Sequence, residues 1–159
     1  MINYGIIIQA RSGSKRFPNK IFKRVGRSTI IEHVIDRVLK VKFKKEIIIA
    51  TTRNKNDKKI LNIAKKKGCN IFFGSEKNVL KRIYSAAKFF NAKNIMRISA
   101  DSPFIDPLIL NKSFSLFTSG KYDIVTNLFP PTFPKGMSVE LMNFKTLEKA
   151  FKFAKTNND

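Results

Sequence analysis

Short apolar runs alternate with longer segments of helical period along most of the chain, and this alternation constrains the fold more than any other feature of the sequence. An apolar run of about four to eight residues is typical of a buried strand, and an intervening helix lets the next strand pair in parallel. The pattern predicts an α/β fold of three layers, α/β/α, in which helices cover both faces of a mostly parallel, Rossmann-like sheet. The predicted strands lie at 4–8, 46–50, 70–73, 94–99 and 123–126, with a weaker one at 138–142.

Five segments carry a helical pattern, and several have recognisable ends. In the first, the apolar residues of 30–39 form one stripe, and Thr29 and Glu32 have the spacing of a capping box. Asp57 and Asp106 precede later helical segments, so we expect both to cap the helices that follow them. The other predicted helices lie at 57–67, at 78–90, from 107 onward and at 144–154.

The length and charge of the chain limit the classes of function. A chain of 159 residues fits a single domain, 1–159, with a core of its own. The formal net charge of +21, from 32 Lys and Arg against 11 Asp and Glu, would favour any polyanion. The lysines are spread along the chain, however, so we interpret most of them as solvated surface residues and do not expect a nucleic-acid partner.

Cysteine content and hydropathy bear on location. Cys69 is the only cysteine of the sequence, so the chain can form no internal disulfide and fits a reducing compartment. No apolar run approaches the roughly 18 residues that a membrane-spanning helix needs. We therefore expect a cytoplasmic protein with no membrane partner.

A small, strongly cationic loop, 9–20, leaves the carboxyl end of the first predicted strand. Its cations are Arg11, Lys15, Arg16 and Lys20, and its small residues include Ala10, Ser12, Gly13 and Ser14. Open parallel sheets bind ligands beyond the carboxyl ends of their strands, where backbone N–H groups can approach an anion. The loop has neither the Walker nor the dinucleotide glycine pattern. It predicts a phosphate-binding site outside those two classes; the alternative is a basic surface turn.

A carboxylate appears where the fourth predicted strand ends. Asp101 follows the strand 94–99 and so should lie on the same sheet edge as the cationic loop. Magnesium is usually held by one or two carboxylates together with phosphate oxygens and water. Asp101 is therefore a candidate Mg²⁺ ligand, and the alternative is that it caps a turn.

Six segments in order resemble the cytidylyltransferase family that includes the CMP-sugar-acid synthetases, and most closely its spore-coat-polysaccharide branch. The segments are IIIQARSGSKRFPNK (6–20), IIEHVIDRV (30–38), IIIATT (47–52), FGSEKNVLKRIYSAA (73–87), RISADSPFIDP (97–107) and YDIVTNLFPPTFPKGMSVE (122–140). The resemblance implies a nucleotide-diphospho-sugar transferase type of sheet. It also implies transfer of CMP from CTP to a sugar or sugar acid with release of pyrophosphate, for cell-surface polysaccharide biosynthesis.

The same resemblance implies roles for individual residues. Arg11 and Lys20 would contact the triphosphate of CTP during catalysis, and Asp101 matches the family's magnesium-binding aspartate. The other residues implied to bind or enclose the nucleotide are Ala10, Ser12, Gly13, Ser14, Arg16, Arg82 and Ser99. The residues that fall where the acceptor sugar is expected are Asn127, Lys135 and Glu140.

The resemblance also leaves two alternatives to an active cytidylyltransferase. We expect the chain to lack the family's C-terminal segment, with its second metal-binding aspartate and much of the dimer contact, which leaves a homodimer open. A chain without that segment could be a non-catalytic module that binds a nucleotide or nucleic acid. A nucleotide-sugar glycosyltransferase ranks third, because Asp101 is followed by Ser102 and Pro103 and so does not belong to a D-x-D motif.

Overall fold

A computed structural model describes residues 1–13 and 17–154, which form eight strands and five helices. The strands are β1 (Ile2–Gln9), β2 (Arg24–Val25), β3 (Ser28–Thr29), β4 (Glu46–Thr51), β5 (Asn70–Phe73), β6 (Ala92–Ser99), β7 (Ile124–Thr126) and β8 (Glu140–Asn143). The helices are α1 (Ile30–Leu39), α2 (Lys58–Lys66), α3 (Val79–Phe89), α4 (Pro107–Thr118) and α5 (Phe144–Phe153). Short 3-10 helices lie at Lys20–Phe22 and Lys55–Asp57.

Six strands form one sheet in the order β5-β4-β1-β6-β8-β7, and β2 pairs with β3 in a separate hairpin. The first four strands of that order are parallel, whereas β8 runs antiparallel to both β6 and β7. The predicted mostly parallel sheet is confirmed. Because β1 lies between β4 and β6, the strand order reverses at β1, and a crevice opens at the carboxyl ends of β1 and β6.

Apolar side chains pack on both faces of the sheet, which gives the predicted three layers. Successive strand residues point to opposite faces, so Ile6 and Ile8 pack under α1, α2 and α4 while Ile7 packs under α3 and α5. The aromatic ring of Tyr84 on α3 stacks on Phe144 and Phe151 of α5, with ring centroids 5.6 and 4.3 Å apart. The two helices are thereby fixed on the face that carries the candidate site.

The predicted helix ends are confirmed except at one residue. Thr29 and Glu32 form the expected capping box, and Asp106 accepts a hydrogen bond from the Leu108 N–H at 2.8 Å. Asp57 precedes α2 as predicted, but its side chain makes no capping hydrogen bond. That carboxylate is buried and is instead bound by the loop after β1. Within residues 1–13 and 17–154, no helix combines the length and apolar character that crossing a bilayer requires.

Candidate nucleotide-binding site

A pocket of about 710 Å³ opens at the carboxyl ends of β1 and β6, where the strand order reverses. Four cationic side chains and two carboxylates contribute to its lining. The full lining is Gln9, Ala10, Arg11, Gly13, Lys20, Ile21, Glu76, Lys77, Val79, Arg82, Ser99, Ala100 and Asp101. The structure therefore brings together the cationic loop and the β6 carboxylate, as the positions of the two strand ends predicted.

The base of the cationic loop is held by Asp57. Its Oδ1 accepts a hydrogen bond from the backbone N–H of Ser12 at 2.7 Å, and its Oδ2 accepts one from Thr52 Oγ1 at 2.5 Å. Asp57 and Thr52 are each only 1% exposed, and Ser12 is 4% exposed. These bonds tie the ends of β1 and β4 to the start of α2, so the N–H of Ser12 is directed at Asp57 rather than into the pocket.

A backbone hydrogen bond joins the two ends of the cationic loop. The backbone N–H of Asn19 donates to the Ser12 carbonyl at 3.1 Å. Asn19 has φ 58°, a left-handed conformation that asparagine adopts more readily than most residues. Asn19 immediately precedes the 3-10 helix that begins at Lys20. The predicted loop residues Ser14 and Arg16 lie outside the described residues.

Lys20 and Asp101 meet across the pocket. Lys20 Nζ lies 2.9 Å from Asp101 Oδ2, and Ser99 Oγ donates to Asp101 Oδ1 at 2.7 Å. Burial opposes ionisation of Asp101, but the hydrogen bonds from Lys20 and Ser99 and the Lys20 charge outweigh it, so its pKa lies below the usual value. Asp101 is therefore a partly exposed, ionised carboxylate whose counter-charge in this structure is Lys20.

Two arginines line the pocket, Arg11 in the loop after β1 and Arg82 on α3. Arg11 is exposed, and its Nη1 donates to the Glu76 carbonyl at 3.2 Å. Arg82 is only 1% exposed, and its Nη1 donates to the Ser75 carbonyl. Among the described residues, no acceptor contacts its buried Nε. Burial and the charge of Arg11 lower the pKa of Arg82, although Asp57 and Glu76 oppose the shift. An anionic ligand in the pocket would offset the repulsion between the two guanidinium groups.

The pocket could bind Mg²⁺ through Asp101, but only together with ligands from a bound phosphate chain. Within the described ranges there is no group of three His, Cys, Asp or Glu side chains that could hold a metal alone. Asp101 nevertheless supplies an ionised oxygen beside a cationic pocket. Mg²⁺ often binds through one or two carboxylates plus phosphate oxygens and water, so Asp101 could hold the ion together with a bound phosphate chain.

The residues predicted to meet an acceptor lie elsewhere. Asn127 binds within its own loop, because its Nδ2 donates to the Met137 carbonyl at 2.9 Å and its Oδ1 accepts from the Val139 N–H at 3.0 Å. Lys135 is exposed on that loop. Glu140 pairs with Arg97 Nη1 at 2.5 Å. None of the three predicted residues is among the described side chains that line the nucleotide pocket.

Two contributors to the site were missed by the sequence analysis. Asp57 was assigned to a helix cap, and its sequence position before α2 carries no signal for the contact with Ser12. Gln9 was not singled out, although it ends β1 on the same face as Ile7. That alternation is the signal that could have placed its side chain in the pocket.

Comparison with known proteins agrees with this geometry. A family model described as cytidylyltransferase matches residues 5–156. An uncharacterized protein of Methanocaldococcus jannaschii is 39% identical over 149 residues, which are 94% of this chain and 60% of that protein. The spore coat polysaccharide biosynthesis protein SpsF of Bacillus subtilis is 30% identical over 147 residues, which are 89% of this chain and 59% of that protein. The chain thus spans about three fifths of the length of these relatives.

Solved structures give the same result. A cytidylyltransferase from Leptospira borgpetersenii superimposes with a TM-score of 0.92 at 36% identity, over 98% of this chain and 66% of that one. A CMP:2-keto-3-deoxy-manno-octonic acid synthetase complexed with CTP superimposes with a TM-score of 0.78 over 98% of this chain and 80% of that one. Its identity is only 15%, so this second match supports the fold alone.

Proposed function

The chain belongs to the cytidylyltransferase family, and we propose that its pocket binds CTP and transfers CMP to a sugar or sugar acid with release of pyrophosphate. The observation that carries the proposal is the meeting of Lys20, Asp101 and the two pocket arginines at the crevice where the strand order reverses. The relatives support a role in building a cell-surface polysaccharide, which we also propose.

In the proposed reaction, an acceptor oxygen attacks the α-phosphorus of CTP. The new phosphorus–oxygen bond forms as the bond to the β-phosphate oxygen breaks, pyrophosphate leaves with the electron pair, and the acceptor proton passes to water. Such transfer depends on positioning and charge stabilisation rather than on a covalent intermediate with the protein. The residues therefore have to hold the phosphates in line and stabilise the charge that develops on pyrophosphate.

Each pocket residue has a distinct part in this proposal. Arg11 and Lys20 bind the β- and γ-phosphates, and the Arg82 guanidinium adds positive charge to the wall of the pocket. Ser99 orients the Asp101 carboxylate through their 2.7 Å hydrogen bond. Asp101 would hold Mg²⁺, which when bound supplies a positive charge that polarises the α-phosphate. Lys20 must leave Asp101 to reach the phosphates, and its side chain, which is partly exposed, has room for that movement.

Nucleotide binding and turnover test the proposal separately. Thermal unfolding with CTP and Mg²⁺, with ATP and Mg²⁺, or with mixed-sequence RNA should show stabilisation by CTP. Stabilisation by RNA alone, fading as salt is added, would replace the proposal with a nucleic-acid-binding module.

Turnover is measured as pyrophosphate released from CTP with a panel of sugars and sugar acids. Arg11→Ala and Asp101→Ala should each abolish the release, because each removes a charge that acts on the phosphates. Arg27→Ala is the matched control, since it removes one exposed arginine from the turn between β2 and β3. A near wild-type rate in Arg11→Ala or Asp101→Ala would remove that residue from the mechanism.

A further inference from the structure

A cavity of about 380 Å³, here called the basic cavity, lies at the amino end of β6, on the edge of the sheet opposite to the nucleotide pocket. It is lined by Ala87, Lys88, Asn91, Ala92, Lys93, Asn143, Phe144 and Lys145. Ala92 begins β6 and Ser99, which lines the nucleotide pocket, ends it, so these two residues are about 23 Å apart along the strand. The function proposed above assigns no ligand to the basic cavity.

The fold brings the lysines of the basic cavity together from three separate elements. Strand β8 runs antiparallel to β6, and Asn94 pairs with Asn143 at this edge of the sheet. Lys88 therefore comes from the last turn of α3, Lys93 from the start of β6 and Lys145 from the first turn of α5. Their positions in the sequence follow no common spacing, so the group becomes visible only in the folded chain.

The lining of the basic cavity has three lysines and no acidic residue, which gives it a formal charge of +3. All three lysines are exposed, and among residues 1–13 and 17–154 no carboxylate or other acceptor contacts their ammonium groups. The carboxylate of Glu148 on α5 feels the charge of Lys88, but it does not line the cavity. It is already bound by Lys152 Nζ at 3.3 Å and by the Tyr84 hydroxyl at 3.2 Å. The three positive charges are thus available to an anion.

The inner wall of the basic cavity is apolar and well packed. Ala87 is fully buried and Ala92 is 3% exposed. The half-buried ring of Phe144 stacks on Tyr84, with ring centroids 5.6 Å apart. The aliphatic parts of lysine side chains add to such a surface. An apolar wall beneath a group of cations favours a ligand that combines an anionic group with an apolar body.

The size and charge of the basic cavity narrow the class of ligand further. Its volume of about 380 Å³ is roughly half of the 710 Å³ of the nucleotide pocket, so it suits a ligand smaller than a nucleoside triphosphate. A phosphate monoester carries a charge of about −1.5 to −2 at neutral pH, whereas a diester carries a single negative charge. Three lysines without a carboxylate therefore favour the monoester.

We propose that the basic cavity is a second anion site, which binds a small phosphate monoester with an apolar body. Lys88, Lys93 and Lys145 bind the phosphate, and the apolar body lies on Ala92 and Phe144. The same group occurs on soluble metabolites and on the lipid phosphatidic acid, and the two sources are separated by experiment below. The inference does not depend on the proposed function, because the two sites share no lining residue.

Titration of the ¹⁵N-labelled protein with phenyl phosphate, inorganic phosphate and phenol tests the site. Phenyl phosphate should shift the amides of Ala92, Lys93 and Lys145 saturably, at a concentration about tenfold lower than inorganic phosphate, because its ring also covers the apolar wall. Phenol has no charge and should not saturate them. The inference is overturned if inorganic phosphate binds as tightly as phenyl phosphate, or if phenyl phosphate gives no saturable shift of these amides at about 50 mM. Shifts confined to Ala10 and Ser99, which line the nucleotide pocket, would also overturn it.

A triple variant tests the role of the lysines. It combines Lys88→Gln, Lys93→Gln and Lys145→Gln and should bind phenyl phosphate at least about tenfold more weakly than wild type. The matched control removes the same charge from exposed positions on α2 and α4, which cover the other face of the sheet, and should bind like wild type. Its substitutions are Lys58→Gln, Lys65→Gln and Lys112→Gln. Urea unfolding checks that both variants are folded, and equal weakening in the two would overturn the inference by reducing the effect to net charge.

Sedimentation with lipid vesicles separates the two sources of the monoester. Vesicles of phosphatidylcholine, with and without phosphatidic acid, are mixed with the wild type and with both triple variants. Binding that requires phosphatidic acid and is lost only in the variant of the basic cavity would assign a lipid headgroup to the site. Vesicle binding that is absent, or equal in the two variants, together with the loss of phenyl phosphate binding in the cavity variant alone, would assign a soluble monoester.

Discussion

Replacing Asp57 by alanine should destabilise the whole loop that carries the phosphate-binding residues. The carboxylate is 1% exposed and accepts hydrogen bonds from the Ser12 N–H at 2.7 Å and from Thr52 Oγ1 at 2.5 Å. A hydrogen bond to a charged group is worth about 1.5–3 kcal/mol, and the two donors would be left buried without a partner. We expect Asp57→Ala to lower the free energy of unfolding by about 3–5 kcal/mol.

The same substitution should also weaken CTP binding, because Ser12 would no longer hold the loop in place. Asp57→Asn keeps an acceptor for the Ser12 N–H, so its cost should be smaller, about 1–2 kcal/mol. Urea unfolding measures the stability, and calorimetric titration measures CTP binding. Asp106→Ala is the control, since it removes a capping carboxylate at a cost of about 1 kcal/mol and should leave CTP binding unchanged. An Asp57→Ala variant as stable as wild type would refute this assignment.

Three further outcomes follow from the geometry. Gly74→Ala should destabilise by about 1–3 kcal/mol and weaken CTP binding in titrations, because a Cβ there would lie 2.9 Å from Arg82 Cγ and 2.9 Å from Phe72 Cε1. The pKa of Asp101 is lower in the folded protein than in the unfolded chain. The ionised carboxylate therefore stabilises the fold fully at pH values above its unfolded pKa, and this stabilisation is lost as the pH falls through its folded pKa. The difference in unfolding free energy between wild type and Asp101→Asn should thus shrink below about pH 4. A difference that stays constant with pH would show that Asp101 is not stabilised in its ionised form. Burial raises the pKa of the Cys69 thiol to about 11, so iodoacetamide should alkylate it far more slowly at pH 8 than it alkylates the unfolded chain.

The parallel part of the sheet could be predicted from the sequence because its central strands, β1 and β4, are almost entirely buried. β1, β4 and β5 are marked by apolar runs, and β6 by apolar residues interrupted by Lys93, Asn94 and Arg97. The predicted positions of all four strands agree with the structure to within two residues. The edge of the sheet was less predictable. The weak strand expected at 138–142 is β8, which begins at Glu140, and nothing in its local pattern gave its antiparallel direction.

The hairpin of β2 and β3 was not predicted. Each strand has two residues, which is too short for an alternating pattern, and the turn depends on Gly26 with φ 61°.

The contacts of the candidate site were also only partly predictable from the sequence. Lys20 and Asp101 could be expected to meet because both follow carboxyl ends of parallel strands. The contacts of Arg97 with Gln9 and Glu140 join residues 88 and 43 positions apart, and no local spacing encodes them. Asp57 was misassigned because it stands where a helix-capping residue is expected, whereas its carboxylate accepts a hydrogen bond from the Ser12 N–H.

Titration of CTP into the ¹⁵N-labelled protein is the most direct test that the pocket at β1 and β6 is a nucleotide site. We expect saturable shifts confined to the amides around the pocket, with those of Gly13, Arg82 and Ser99 among them, and loss of saturation in Arg11→Ala. Absence of saturable binding at millimolar CTP, or shifts that map to the lysine-rich surface of α2 and fade with salt, would contradict it.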